Sequence, residues 1–169
     1  MMDTQNRERL LDVRNLTVEI DGRNGPAVVV DGIDLHVDKG ETLGVVGESG
    51  CGKSLTMLSL MRLLPNKIKV TNGTATFDGR DLQTMSNGEL RKVRGGDIGF
   101  VFQDPMTSLN PVMRVGDQIC EPLIYHRGMK KAEARTRAVE LLRLVGIPGP
   151  EERLQAYPHE LSGGMRQRV

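Results

Sequence analysis

Residues 47–54 read Gly47-Glu48-Ser49-Gly50-Cys51-Gly52-Lys53-Ser54, a complete G-x-x-x-x-G-K-[ST] stretch. Ahead of it, Thr42-Leu43-Gly44-Val45-Val46 reads as a short buried strand. Behind it, Leu55, Leu58, Met61 and Arg62-Leu63-Leu64 continue as an amphipathic helix. Strand, loop and helix in that order are the context in which the motif has a mechanism. Gly47, Gly50 and Gly52 carry no Cβ, so the backbone can turn tightly and aim successive N–H groups inward. Those groups lie at a helix N-terminus, where the dipole also favours anions. Lys53 supplies a mobile positive charge for β- and γ-phosphates, and the Ser54 hydroxyl can ligate Mg²⁺. The bland alternative is a glycine-rich turn that merely precedes Lys-Ser. Its chance in a chain this long is on the order of a per cent. The stretch predicts a nucleoside triphosphate as ligand, with residues 47–54 as its phosphate cradle.

Working outward, 169 residues are enough for one domain with a sizeable core. An apolar content of 38% with 27% charged residues is ordinary for a globular protein. The 23 basic and 22 acidic residues leave a net charge of +1, so no basic excess points to nucleic acid. The run Arg127, Lys130, Lys131, Arg135, Arg137 reads as a solvated helix face. Two cysteines, Cys51 and Cys120, are too few for a disulfide framework and suit a reducing compartment. Cys51, beside Lys53 and a helix start, is either a reactive thiol or a small filler of the loop, the second being preferred. The charged N-terminus leads into no long apolar run, and Ala27–Val30 and Leu55–Leu64 are far short of a membrane span. Membrane contact is therefore expected only through partners.

Leu16, Val18 and Ile20 alternate with polar neighbours as in a half-buried strand. Val28, Val30, Ile33, Leu35 and Val37 suggest a second, antiparallel strand with one irregularity. Between them, Asp21-Gly22 and Asn24-Gly25-Pro26 are turn chemistry. Thr74–Phe77 predicts another short strand closed by Asp78-Gly79. Ser86-x-x-Glu89 predicts a capped helix through Leu90 and Val93 that stops at Gly95. Ile98-Gly99-Phe100-Val101-Phe102 predicts a buried strand that delivers Gln103 at its end. Helices are then expected over Val115–His126, despite Pro122, and over Lys130–Val145. In the second, Ala134, Ala138, Leu141, Leu142 and Val145 share a face, and Gly146 and Pro148 end it.

The chain closes with Leu161-Ser162-Gly163-Gly164-Met165-Arg166-Gln167-Arg168-Val169. Ser-Gly-Gly opening a polar helix is again an anion-binding shape, and alone it is common loop chemistry. Together with the phosphate loop and Gln103 it becomes specific. Over nearly its whole length the chain resembles the nucleotide-binding subunit of an ATP-binding cassette (ABC) transporter. Gly47–Ser54 matches that family's phosphate loop, Gln103 its Q-loop glutamine and Leu161–Gln167 its signature sequence. The wording Phe102-Gln103-Asp104-Pro105-Met106-Thr107-Ser108-Leu109-Asn110-Pro111 and the segment Tyr157–Val169 resemble oligopeptide and dipeptide importers, with nickel importers as close relatives. Met165 and Asp104-Pro105-Met106-Thr107 look like one of two paired ATPase subunits rather than the other.

The resemblance implies an α/β fold: a P-loop NTPase core of ABC type, an antiparallel β subdomain and an inserted helical subdomain. Residues 1–104 would be the β subdomain with part of the core, and 105–169 the helical subdomain ending in the signature. It implies ATP and Mg²⁺ as cofactors. Two such subunits, alike or different, would sandwich two ATP molecules head to tail. Lys53 and Ser54 would act on their own subunit's nucleotide. Ser162, Gly163 and Gly164 would contact the γ-phosphate held by the opposite subunit. Gln103 would meet Mg²⁺, take part in catalysis and sense the membrane subunit, its carboxamide both accepting and donating. The further partners implied are two integral membrane permease subunits and, indirectly, an extracytoplasmic substrate-binding protein, with no nucleic acid. The place implied is the cytoplasmic face of the inner membrane, as a peripheral subunit. His159 lies upstream of the signature, where the family has no acid–base chemistry; His36 and His126 read as surface or packing residues.

Three departures qualify the resemblance. The chain ends at Val169, before the family's strand ending in Asp, its following Glu and its switch His. The C-terminal part of the core is thus missing, and this chain alone is expected to hydrolyse ATP negligibly, since metal positioning and water activation dominate phosphoryl transfer. The strands that should flank the phosphate-loop strand are missing with it, so an exposed apolar edge and dependence on another chain are expected. The family commonly stacks adenine on an aromatic residue ahead of the loop, whereas Arg23–Val30 contains none. Aliphatic packing such as Val28 would then serve, leaving ATP over GTP open. Two other readings stand beside the importer: a non-hydrolysing fragment that binds nucleotide or partner subunits only, and a soluble cassette ATPase working on nucleic acid or ribosomes. The near-neutral charge and the Asp104–Pro111 segment argue against the last.

Overall fold

The computed structural model describes residues 8–23, 25–102 and 108–169. They divide into two compact units, one up to Leu90 and the other Arg91–Val169. The architecture is α/β. In the first unit the strands β1 (Arg9–Gly22), β2 (Gly25–Asp38), β3 (Ile68–Phe77) and β4 (Arg80–Asp81) form one antiparallel sheet in the order β2-β1-β3-β4. The alternation that predicts β1 is realised. Leu16 lies opposite Ile33 on β2, and Val18 opposite both Val30 on β2 and Val70 on β3. Val13, Leu16 and Val18 are fully buried, and Val30, Ala75 and Leu82 join them. Between Val18 and Glu19 the register slips, with Val30 and then Val28 as partners, so Val29 is an extra residue on β2.

Helix α1 (Lys53–Leu60) follows the glycine-rich loop. It is shorter than the sequence predicts; Met61 is buried as expected, but Thr56, Ser59 and Leu60 are buried with it while Leu55 and Leu58 are only half-buried. Thr56 and Ser59 can be buried because each hydroxyl donates back along the helix, Thr56 to the Gly52 carbonyl at 3.1 Å and Ser59 to the Thr56 carbonyl at 2.6 Å. The end is a Schellman turn in which Leu63 N–H donates to the Leu58 carbonyl and Arg62 N–H to the Ser59 carbonyl. Its left-handed position, usually glycine, is Arg62 at φ 49°. The Arg62 guanidinium donates to the Met85 carbonyl at 2.6 Å and the Asn87 side chain at 3.2 Å, interactions that offset the strain. No local glycine signals this stop, so the sequence reading overshoots to Leu64.

Helix α2 (Asn87–Gly96) begins at the expected box, with Ser86 N–H donating to the Glu89 carboxylate at 2.9 Å and Glu89 N–H to the Ser86 hydroxyl at 3.3 Å. Arg94 and Gly95 leave helical geometry, so the regular part ends at Val93, close to the predicted stop.

The two strands expected around the phosphate loop are not strands here. Residues 41–48 and 99–102 carry no ladder, and Val46 and Val101 are 92% and 96% exposed. Ile98 makes only an isolated bridge to Arg94. An apolar run becomes a strand only when a neighbour supplies the matching N–H and C=O groups. No described strand lies beside either stretch.

The second unit is helical: α3 (Val115–Arg127), α4 (Lys131–Leu144), the short α5 (Pro150–Arg153), a 3₁₀ turn at Pro158–Glu160 and α6 (Gly163–Arg168). Ala134, Ala138 and Leu142 of α4 form the core with Cys120 of α3, Ile147 and Leu154. Leu141 is only half-buried and Val145 is exposed, so the apolar stripe of α4 is narrower than its sequence suggests. Burial raises the Cys120 thiol above its usual range and keeps it protonated. Met165 and Val169 pack on this core, as they do on a second cluster of Val115, Ala156 and Leu161. No helix among the described residues is long and apolar enough to cross a membrane.

Candidate phosphate-binding site

Gly52 is the N-cap of α1, at φ 94°. A Cβ there would stand 3.1 Å from the Val29 carbonyl oxygen and 3.2 Å from a Val30 methyl. Backbone conformation and the closeness of β2 therefore both demand glycine. The carbonyl that stands against the loop belongs to Val29, the extra residue of the β2 bulge. No side chain caps α1 and no acidic residue occupies its first turn. Its first N–H groups and positive dipole end are thus directed at the loop without internal competition.

Lys53 is folded over the loop, donating to the Gly47 and Glu48 carbonyls at 2.7 Å each, with its Nζ 3.4 Å from the Cys51 sulfur. An ammonium has three donors and no acceptor. Its charge is thus held inside the turn, on carbonyls that phosphate oxygens can replace. Ser54 is exposed on the first turn of α1, and Ser49, Gly50 and Cys51 are exposed along the loop. Among the described residues no group of three His, Cys, Asp or Glu side chains could hold a metal by itself.

In the second unit, Ser162 is the N-cap of α6, and its hydroxyl accepts from Met165 N–H at 3.3 Å. Gly163 and Gly164 differ from Gly52: neither has a positive φ, and a Cβ on either would meet nothing within 4 Å. Upstream, Glu160 accepts from Tyr157 N–H at 2.7 Å, and Tyr157 stacks on His159 at 5.6 Å and 9°. His159 is thus a packing partner. His126 is packed over Gly95, whose Cβ would lie 2.9 Å from its Nε2, and His36 is exposed on β2. Gln103 lies outside the described residues, as does Asp104-Pro105-Met106-Thr107.

A family model described as ABC transporter matches residues 30–169. The chain belongs to the ABC transporter family. Among curated proteins, this cassette is 51% identical over 162 residues to the oligopeptide transport ATP-binding protein OppD of Bacillus subtilis, covering 95% of the chain and 45% of OppD. It is 50% identical over 163 residues to the dipeptide transport ATP-binding protein DppD of the same organism, covering 96% and 49%. Among solved structures it resembles the ATP-binding cassette MJ0796, described as a dimeric post-hydrolysis state bound to ADP and phosphate. There the TM-score is 0.79 at 30% identity, covering 94% of the chain and 66% of MJ0796. The cassette spans about half the length of the curated relatives it matches.

Proposed function

We propose that this cassette is the nucleotide-gripping part of an ATP-binding subunit that energises peptide import. The observation that carries the reading is the 47–54 loop itself, an uncapped helix start with Lys53 held inside it. The names of relatives at about half identity support peptide as the cargo class. Lys53 binds the β- and γ-phosphates, the loop N–H groups hold the remaining oxygens, and Ser54 binds Mg²⁺, which when bound offsets phosphate charge. Gln103 is assigned to Mg²⁺ and to communication with the membrane subunits. Ser162, Gly163 and Gly164 are assigned to the γ-phosphate on a second ATPase subunit. That neither signature glycine is required by its own fold supports this assignment, since glycine also serves where another molecule must approach a backbone closely.

In this scheme ATP closes two subunits head to tail, and two membrane permeases move with them, fed by an extracytoplasmic binding protein. Hydrolysis resets the cycle at the cytoplasmic face of the inner membrane, with no nucleic acid involved. Residues 1–104 carry the grip and 105–169 the helical contact surface. Residues 1–169 by themselves turn over negligibly, because within them no Asp-Glu pair follows an apolar strand after the signature.

Lys53→Ala tests the reading by titration calorimetry with Mg-ATP. A hydrogen bond from an ammonium to a phosphate is worth about 1.5–3 kcal/mol, so the variant should bind at least about tenfold more weakly. Unchanged affinity removes the loop from the site.

A further inference from the structure

The side chain that does most around the signature is Arg168, the last residue of α6. Its Nε donates to the Gly164 carbonyl at 3.2 Å, and its Nη1 to the Val145 and Gly146 carbonyls at 3.2 and 2.7 Å. Val145 and Gly146 close the C-terminal end of α4, where unpaired carbonyls and the negative end of the dipole attract a cation. One guanidinium thereby ties the signature turn to the longest helix of the unit.

The carbonyl of Gly164 and the N–H of Met165 belong to the same peptide group. Arg168 holds its oxygen, and the Ser162 hydroxyl accepts from its N–H at 3.3 Å. Hydrogen-bonded chains polarise one another, so a cation on the carbonyl makes the N–H a stronger donor. A hydroxyl that accepts there keeps its own proton to donate elsewhere. We propose that Arg168 is a positioning residue for the signature serine: through the Gly164–Met165 peptide it fixes the Ser162 oxygen as acceptor toward its own helix and its proton as donor toward a phosphate oxygen. This rests on the reading of residues 162–164 as phosphate contacts. The Val145 and Gly146 carbonyls set where that donor stands relative to the α4 core.

The test is a double-mutant cycle on the full-length subunit assembled with its partner ATPase, read as steady-state ATP turnover, with ATP affinity of the isolated subunit as control. Ser162→Ala and Arg168→Ala should each lower kcat about tenfold, since loss of aim costs rate rather than ground-state grip. ATP affinity at the 47–54 loop should stay within about twofold. The double variant should be no slower than Ser162→Ala alone, because Arg168 then has nothing left to aim. Arg168→Lys, which keeps the charge but not the planar fork, should recover part of the rate, and carries the same cycle if the alanine variant does not fold. Additive losses, or an Arg168→Ala kcat within about twofold of the parent while Ser162→Ala is impaired, overturn the proposal alone. An unimpaired Ser162→Ala overturns the phosphate reading of the signature, and this proposal with it.

Discussion

The loop at 47–53 and the turn at 162–164 both place glycines at the start of a helix, yet glycine serves a different end in each. Gly52 is required from within: its φ of 94° and the Val29 carbonyl 3.1 Å from any Cβ leave no alternative. Gly163 and Gly164 have ordinary backbones and open space around them. The first turn is shaped by its own torsions and by β2. The second is held by side chains, the Ser162 hydroxyl at its start and Arg168 after it, and Gly164 is exposed. The same residue type thus marks an internal constraint in one unit and an external surface in the other.

The largest effect that could break this contrast is Gly164→Val. Turnover of the assembled ATPase should drop at least about a hundredfold, the loss expected for misplacement by an ångström. The melting temperature should stay within about 2 °C, as for a surface change. A large fall in melting temperature would mean that the turn is constrained from within after all.

Gly52→Ala should behave in the opposite way. It should destabilise the protein by about 1–3 kcal/mol in urea unfolding, the cost of a strained backbone, and weaken ATP binding in parallel. Normal stability with weakened binding would make Gly52 an external-approach glycine like Gly164.

The smallest effect lies in the sheet beneath the loop. Burial pushes the Asp12 carboxyl up, but Arg14 and Arg9, at 3.1 Å each, outweigh it and hold it below its usual 3.8. Its contribution is therefore complete above that value and disappears as pH falls through the lower folded one. Asp12→Asn should cost under about 1 kcal/mol at pH 6 and progressively less as the medium is made acid, read as the gap between the two urea midpoints. A gap that persists in acid would assign the effect to packing.

What can be read from the sequence is what neighbouring residues decide. The Ser86–Glu89 box, the alternation of Leu16 and Val18 and the α4 stripe through Ala134, Ala138 and Leu142 are realised. The departures share one cause. Thr42–Val46 and Ile98–Phe102 have strand patterns but no ladder, since strand formation belongs to a pair of segments and not to one. Leu64 falls outside α1 because the residue that stops the helix is an arginine held by distant Met85 and Asn87. Arg168 carries a faint signal, four residues after Gly164 on a helix, but nothing local points to Val145 and Gly146 as its other partners.

The sequence by itself determined the ligand class, because a phosphate cradle is made from consecutive backbone groups whose torsions glycine spacing sets. Tertiary structure decided where α1 ends, which glycines are locked and which are open, and how the signature serine is aimed. Those depend on a carbonyl or a guanidinium delivered from about 20 or more residues away, which no local pattern encodes.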